Sequence, residues 1–394
     1  MKILNKIVKW FFIDSETKYD SICDSKIIFS VILLMAIGLI MVYSASIAYA
    51  SSGSHSEYYF FIRHLGSIII GVLAGILAFN QPTAFWKANA TKIAIIVALF
   101  LMMVLIPHVG RVVNGSRRWI GLGSVGLQPS ELSKLGIVIY LSYYLCDRSL
   151  SLRRFFSDYG PVLLLIGVYT VLLLLEPDMG TATVVFIISL SVFYMSNMSR
   201  KFIITLAALG VIGFVLLVAV EPYRVRRFLG FIDPWQDALG KGYQLTHSLL
   251  AVGHGGWLGV GLGNSIEKLF YLPEAHTDFI LAIIAEETGM LGVGVILLLF
   301  WIIFYRGFTV IATESRYLMN RRFQALVAQG ISVWFLVQAL INIGVTIGIL
   351  PTKGLTLPFI SYGGSSILIN CIALAILLKI DYENKKLKRG IEID

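Results

Sequence analysis

Tyr271-Leu-Pro-Glu-Ala-His-Thr-Asp278-Phe-Ile, followed closely by Ala285-Glu-Glu-Thr-Gly289, stands between a long polar-flanked segment and a strongly apolar run. It packs Glu274, His276 and Asp278 into five residues. Its Pro and Asp mark a helix entry, with Thr277 or Asp278 as the expected N-cap of the helix that follows. A carboxylate at the mouth of an apolar helix is costly to keep unless it is solvated, paired or functional. Asp278 therefore has two readings: a cap, or a general base at a water–lipid boundary that takes a proton from an attacking hydroxyl. Glu274 and His276 are its natural partners, although Glu-x-His-x-Asp is a loose spacing for a divalent cation.

Outward from this stretch, apolar segments recur along the chain. The 394 residues are 57% hydrophobic and only 14% charged, with a mean hydropathy of +0.81, against about 25% charged residues in soluble domains. Such a composition excludes an ordinary soluble globule and predicts an all-α polytopic membrane protein. Ten spans are expected, near 27–50, 60–80, 92–108, 131–146, 161–175, 179–197, 201–220, 278–305, 322–349 and 364–380, several of them close to or below the ~20 residues a straight crossing needs. The domain organisation that follows is a tail over 1–26, one membrane domain over 27–380 with a large loop at 221–277 between the seventh and eighth spans, and a tail over 381–394. Ala48-Tyr-Ala50 resembles a signal cleavage site, but the apolar run before it is too long for a signal peptide, and a retained first helix is expected.

If the N-terminus is cytoplasmic, the inside segments hold 21 Lys and Arg and the outside segments nine. The positive-inside rule then places both termini in the cytoplasm and the 271–279 stretch outside. The net charge of +9 points to anionic lipid rather than nucleic acid, because no basic soluble domain is present. Three widely spaced cysteines, Cys23, Cys146 and Cys371, support neither a disulfide framework nor a zinc site.

Other segments join the site by chemistry. Glu176-Pro-Asp178-Met-Gly180 is an outside turn in which Asp178 either caps the next helix or offers a second carboxylate. Arg63, Arg118, Lys134, Arg227 and Lys353 run against the charge asymmetry; exposed, they are solvated side chains, and together they suit a phosphorylated headgroup. Arg63 and Lys134, inside or at spans, demand a counter-ion or a substrate. The Gly-rich run 253–263 lacks the strand context of a dinucleotide site, and its glycines suit turns and close packing. The segment Pro351-Thr-Lys-Gly-Leu-Thr-Leu-Pro-Phe-Ile-Ser361-Tyr-Gly-Gly breaks any helix and is tolerated at membrane depth only against a cavity or protein; facing Asp278, it would form the other wall.

These motifs, with Asn114-Gly-Ser-Arg-Arg-Trp-Ile-Gly-Leu-Gly and Gln128-Pro-Ser-Glu-Leu-Ser-Lys134, resemble those of the SEDS family (shape, elongation, division and sporulation) from residue 27 to 380. The division branch is the nearest match and the elongation branch its rival. The resemblance implies an inverting peptidoglycan glycosyltransferase that polymerises lipid II during septal wall synthesis in the bacterial inner membrane. It places the catalytic base at Asp278 and a cavity lining at Arg63, Lys134 and Asp178, with Arg118, Arg227, Glu274, His276, Lys353 and Ser361 as further substrate contacts. No metal ligand set and no firm cofactor follow, although a divalent cation (Mg or Mn) would suit the pyrophosphate. The implied partners are a class B penicillin-binding protein (an FtsI-type transpeptidase) and other divisome subunits. A lipid II flippase and a recruiting scaffold are the alternatives, and the grouping of ionisable residues on the outer half favours the enzyme.

Overall fold

A computed structural model describes residues 22–52, 56–113, 115–122, 125–147, 155–220, 225, 231–240, 242–318 and 321–391. Among the described residues, ten helices occupy the ten apolar segments: α1 (Ser25–Ser52), α2 (Tyr59–Asn80), α4 (Ala90–Leu105, after the short α3, Thr83–Ala88), α5 (Pro129–Cys146), α6 (Phe155–Leu175), α7 (Met179–Met195), α8 (Arg200–Val220), α10 (Ile280–Tyr305), α12 (Arg322–Thr346) and α13 (Gly364–Lys388). Among the described residues, seven helices are long and apolar enough to cross a membrane. α4 and α7 are apolar but shorter, and α5 carries Glu131 and Lys134. α12 is buried along most of its length and forms the centre of the bundle, whereas α8 buries no residue.

Small residues let these helices approach. A β-carbon on Gly71 or Gly75 of α2 would lie 3.1 Å from Cys371 Sγ or 3.2 Å from the Cys371 carbonyl of α13, so both must stay bare for the contact. Gly38 of α1 lies equally close under the Ile360 backbone, which seats the 351–363 segment against α1.

The connection over 109–130 carries structure of its own: β1 (Gly110–Val113), β2 (Ser116–Leu122) and β3 (Val125–Leu127) form an antiparallel meander in the order β1-β2-β3. Arg111 pairs with Trp119 across a turn at Gly115 with φ of +75°, and Ile120 pairs with Leu127 between β2 and β3. Arg117 ties the sheet to the end of α4 by donating to the Leu105 carbonyl at 3.2 Å. The large loop contains α9 (Tyr243–Gly255), which is moored to α12 where Ser248 donates to the Thr346 carbonyl at 2.8 Å. The last helix runs on to Lys388, so most of the expected tail is helical.

α10 is broken at Gly289, which takes φ 69° and ψ −174°. Backbone groups freed at membrane depth must find partners, and here the 256–261 strand of the large loop supplies them. Val260 and Gly261 donate to the carbonyls of Glu286 and Glu287, and Met290 and Leu291 donate to those of Gly256 and Trp257. A β-carbon at Gly259 or Gly289 would collide with the opposing backbone, at 2.2 and 2.4 Å, so the seam requires glycine at both positions. The paired acids lock the seam. The buried Glu286 carboxylate accepts from the Ser265 hydroxyl and from the Ile266 amide at 3.0 Å, and it meets His254 Nδ1 at 2.9 Å. Glu287 accepts from Ser44 at 2.7 Å and from Lys268 at 2.8 Å.

Glu286→Gln removes the charge that gathers those donors, each such bond contributing ~1.5–3 kcal/mol. Amides 256–268 are expected to exchange with deuterium on the order of tenfold faster or more, with α12 unchanged. Unaltered exchange would show that the loop is held by other contacts.

Candidate functional site

The site is assembled where the 271–279 loop, the 351–363 segment, β2 and the α6–α7 corner converge. Glu274, in a left-handed conformation (φ 56°), folds the first of these into a tight turn. Its carbonyl accepts from the amides of Thr277 (3.1 Å) and Phe279 (3.2 Å), and its carboxylate accepts from the Thr277 hydroxyl at 2.7 Å. This turn overturns the expected cap: α10 begins at Ile280 with Phe279 at the cap position and no side-chain cap bond. Asp278 is half-buried beside the helix start, and its backbone carbonyl accepts from Asn342 Nδ2 at 2.9 Å.

The same Asn342 amide donates to the Leu355 carbonyl at 2.8 Å. One turn earlier on α12, Gln338 donates to the Thr356 carbonyl at 2.8 Å and accepts from Lys134 Nζ and Trp334 Nε1, both at 2.8 Å. Two amides of one helix thus fix both backbone walls. The 351–363 wall also closes on itself, because the buried Ser361 hydroxyl accepts from the Leu357 amide at 2.7 Å. Between the walls stands Gly354. A β-carbon there would lie 3.0 Å from Asp278 Oδ2 and 4.0 Å from an Arg118 guanidinium nitrogen. The bare glycine keeps open the gap on which the carboxylate and the guanidinium both border.

Arg118 reaches this point from β2, held by bonds to the carbonyls of Glu176 (3.0 Å) and Pro177 (2.5 Å). Lys353 adjoins Gly354 in sequence, with Nζ 3.2 Å from Thr183 Oγ1 and 4.6 Å over the Phe214 ring of α8. Asp178 is the N-cap of α7: one oxygen accepts from the Thr181 amide at 3.0 Å and the other from its hydroxyl at 2.9 Å. Lys134 is fully buried, with Glu131 Oε2 at 2.8 Å as its counter-ion and the Trp334 ring 5.2 Å below. Its charge orients Gln338 from behind the wall. Arg63 is exposed on the first turn of α2, donating to the Tyr59 hydroxyl at 2.6 Å. His276 is packed among Phe60, Tyr49 and Tyr362, and its carbonyl accepts the Tyr362 amide. Burial pulls its pKa below the usual histidine range against the opposing pull of Glu274, so the ring is neutral. Arg227 lies outside the described residues.

Sequence reasoning missed Asn342 and Gln338. The available signal was the spacing Trp334, Gln338, Asn342, one polar or polar-tipped group per turn along one stripe of the helix. Among the described residues, no three His, Cys, Asp or Glu side chains converge as metal ligands.

The profile of the cell cycle protein family FtsW/RodA/SpoVE matches residues 24–386. The chain belongs to this family. A Nitrosomonas europaea relative named "Probable peptidoglycan glycosyltransferase FtsW" is 48% identical over 370 residues, which cover 93% of this chain and 95% of the relative. The fold superposes on a chain of a solved structure described as "Structural coordination of polymerization and crosslinking by a peptidoglycan synthase complex", with a TM-score of 0.75, 28% identity and coverage of 92% of this chain and 98% of that one. The rod shape determining protein RodA of Thermus thermophilus matches with a TM-score of 0.67 and 26% identity, over 92% of this chain and 97% of its own.

Glu176 gives the site a pH signature. It is fully buried and neither carboxylate oxygen has a hydrogen-bond partner. Burial, aided by the neighbouring Asp178 charge and opposed by Arg118, raises its pKa from 4.5 to about 8. The folded chain keeps this proton over a range in which the unfolded chain has lost it, so stability falls as pH rises from about 4.5 to about 8 and does not fall further above that. The gain in Tm of Glu176→Gln over wild type is therefore expected to grow between pH 5 and 8 and then level off. A difference independent of pH would remove Glu176 from the titration.

Proposed function

We propose that this chain is a peptidoglycan glycosyltransferase that polymerises lipid II into glycan strands for septal wall synthesis, with Asp278 as the general base. The observation that carries this reading is the gap at Gly354, bordered by the Asp278 carboxylate and the Arg118 guanidinium on two irregular walls at one end of the bundle. The acceptor's GlcNAc 4-hydroxyl attacks the anomeric carbon of the donor, and its proton passes to Asp278 as the new C–O bond forms. The bond from that carbon to the pyrophosphate oxygen breaks on the opposite face, so configuration inverts and undecaprenyl pyrophosphate leaves. A positioned base typically contributes 10²–10⁴-fold to such a step. Arg118, Lys353 and Arg63 carry the positive charge that suits the leaving pyrophosphate. Lys134, Glu131, Asp178 and Ser361 act behind this layer by holding its backbone. A divalent cation would enter as a companion of the pyrophosphate, and no step here depends on one.

Both termini lie in the cytoplasm in this reading, and the Gly354 gap opens on the outer face, as the 21-to-nine asymmetry of basic residues supports. The 48% identity to a protein named FtsW, against 26% to RodA, supports the septal rather than the elongation role. A class B penicillin-binding protein is the partner that fits, since the superposing synthase complex is described as coordinating polymerization with crosslinking.

The test is polymerisation of labelled lipid II by the purified chain with such a partner. Wild type is expected to make glycan strands, and Asp278→Asn, isosteric but unable to accept the proton, to lose activity by roughly 10²-fold or more with normal folding and partner binding. Equal polymer from both would move the chemistry away from Asp278.

A further inference from the structure

The end of the bundle opposite the Gly354 gap is rich in basic side chains, and most of those that reach across helices there meet a carboxylate. Arg306 binds Asp24, and Arg321 binds Glu383 at 2.8 Å. Lys388 pairs with Glu314 at 2.9 Å and Lys87 with Asp147 at 2.7 Å, while Lys385 pairs within α13 with Asp381 at 2.9 Å.

Arg316 and Arg322 differ. They stand on either side of the short connection between α11 (Ala312–Tyr317) and α12. Arg316 Nη2 donates to Gln329 Oε1 at 2.9 Å and to the Met195 carbonyl at 3.4 Å, and Arg322 Nη2 donates to the Ser196 carbonyl at 2.9 Å. Every one of these acceptors is neutral. Asp147 feels the field of Arg322, but its carboxylate is bonded to Lys87. The two guanidiniums border a cavity of about 240 Å³ whose other lining residues are Met195, Asn197, Ala325 and Leu326.

Capping the last carbonyls of α7 accounts for one Nη2 of each arginine. It does not account for two full charges with no carboxylate bonded to either among the described residues, around one cavity floored by Met195, Ala325 and Leu326. Guanidinium forks match phosphate oxygens, and basic pockets between helix ends at a membrane surface suit anionic lipid headgroups. The volume fits a glycerol-phosphate head and not an acyl chain. We propose that Arg316 and Arg322 form a binding site for an anionic phosphodiester headgroup, on the face opposite the Gly354 gap.

Native mass spectrometry of the full-length chain in detergent, titrated with phosphatidylglycerol or phosphatidylcholine, tests this. Wild type is expected to prefer phosphatidylglycerol. Arg316→Gln/Arg322→Gln should weaken that binding by roughly tenfold or more, in line with the loss of two headgroup contacts. Lys386→Gln/Arg389→Gln, which removes the same charge from the same end outside the cavity, should leave it unchanged. Arg316→Lys/Arg322→Lys keeps the charge without the fork and should fall between; it carries the test if the glutamine variant does not fold. Displacement of phosphatidylglycerol by millimolar glycerol 3-phosphate would keep the phosphate assignment and make the source soluble. Equal binding of the two lipids by wild type, equal binding by the cavity variants, or an equal loss in the control pair would overturn the proposal.

Discussion

One side-chain amide joins the two halves of the site. Asn342 Nδ2 donates to the Asp278 carbonyl and to the Leu355 carbonyl, and neither wall has regular secondary structure of its own to fix it. A buried carbonyl left without a donor costs ~1–3 kcal/mol, so the fork both stabilises the walls and sets their separation. Gln338 repeats the device one turn away, with Lys134 and Glu131 behind it. A helix buried along most of its length thereby becomes the ruler for the least regular segments.

The same requirement shapes the rest of the extramembrane architecture. At several points where the described backbone leaves helical geometry it is answered by another backbone or by a polar side chain. The break at Gly289 is closed by the 256–261 strand and pinned by Glu286 and Glu287. The Pro177 corner is held by Arg118, and the sheet is stitched to α13, where the Ser365 hydroxyl donates to the Gly126 carbonyl at 3.0 Å. These ties carry β2, and with it Arg118, to the position facing Asp278.

Much of this was legible in the sequence, because helices that cross a membrane are written in apolar length and the site motifs lie in the turns between them. Asp178 as a cap, the packing role of the glycines at 253–263 and the opposition of the 351–363 segment to Asp278 all follow from local chemistry. What local chemistry concealed was long-range. The sheet at 110–127 depends on pairing across Gly115, in strands of three to seven residues too short for a clear period. Asn342 and Gln338 look like isolated polar residues until the carbonyls they serve are brought near. The expected cap at Thr277 or Asp278 failed because the Glu274 turn and Asn342 claim the local backbone first. Of the two readings open for Lys134, counter-ion or substrate, Glu131 three residues away supplies the first.

If the Asn342 fork sets the catalytic geometry, its loss should affect turnover more than substrate binding, since a misplacement of about 1 Å can cost on the order of 10²-fold in rate. The direct measurement is kcat and KM for lipid II polymerisation by Asn342→Ala beside wild type, in samples matched for folding and partner binding. The account predicts a fall in kcat of roughly ten- to a hundredfold with KM nearly unchanged. Wild-type kcat in the variant would contradict it.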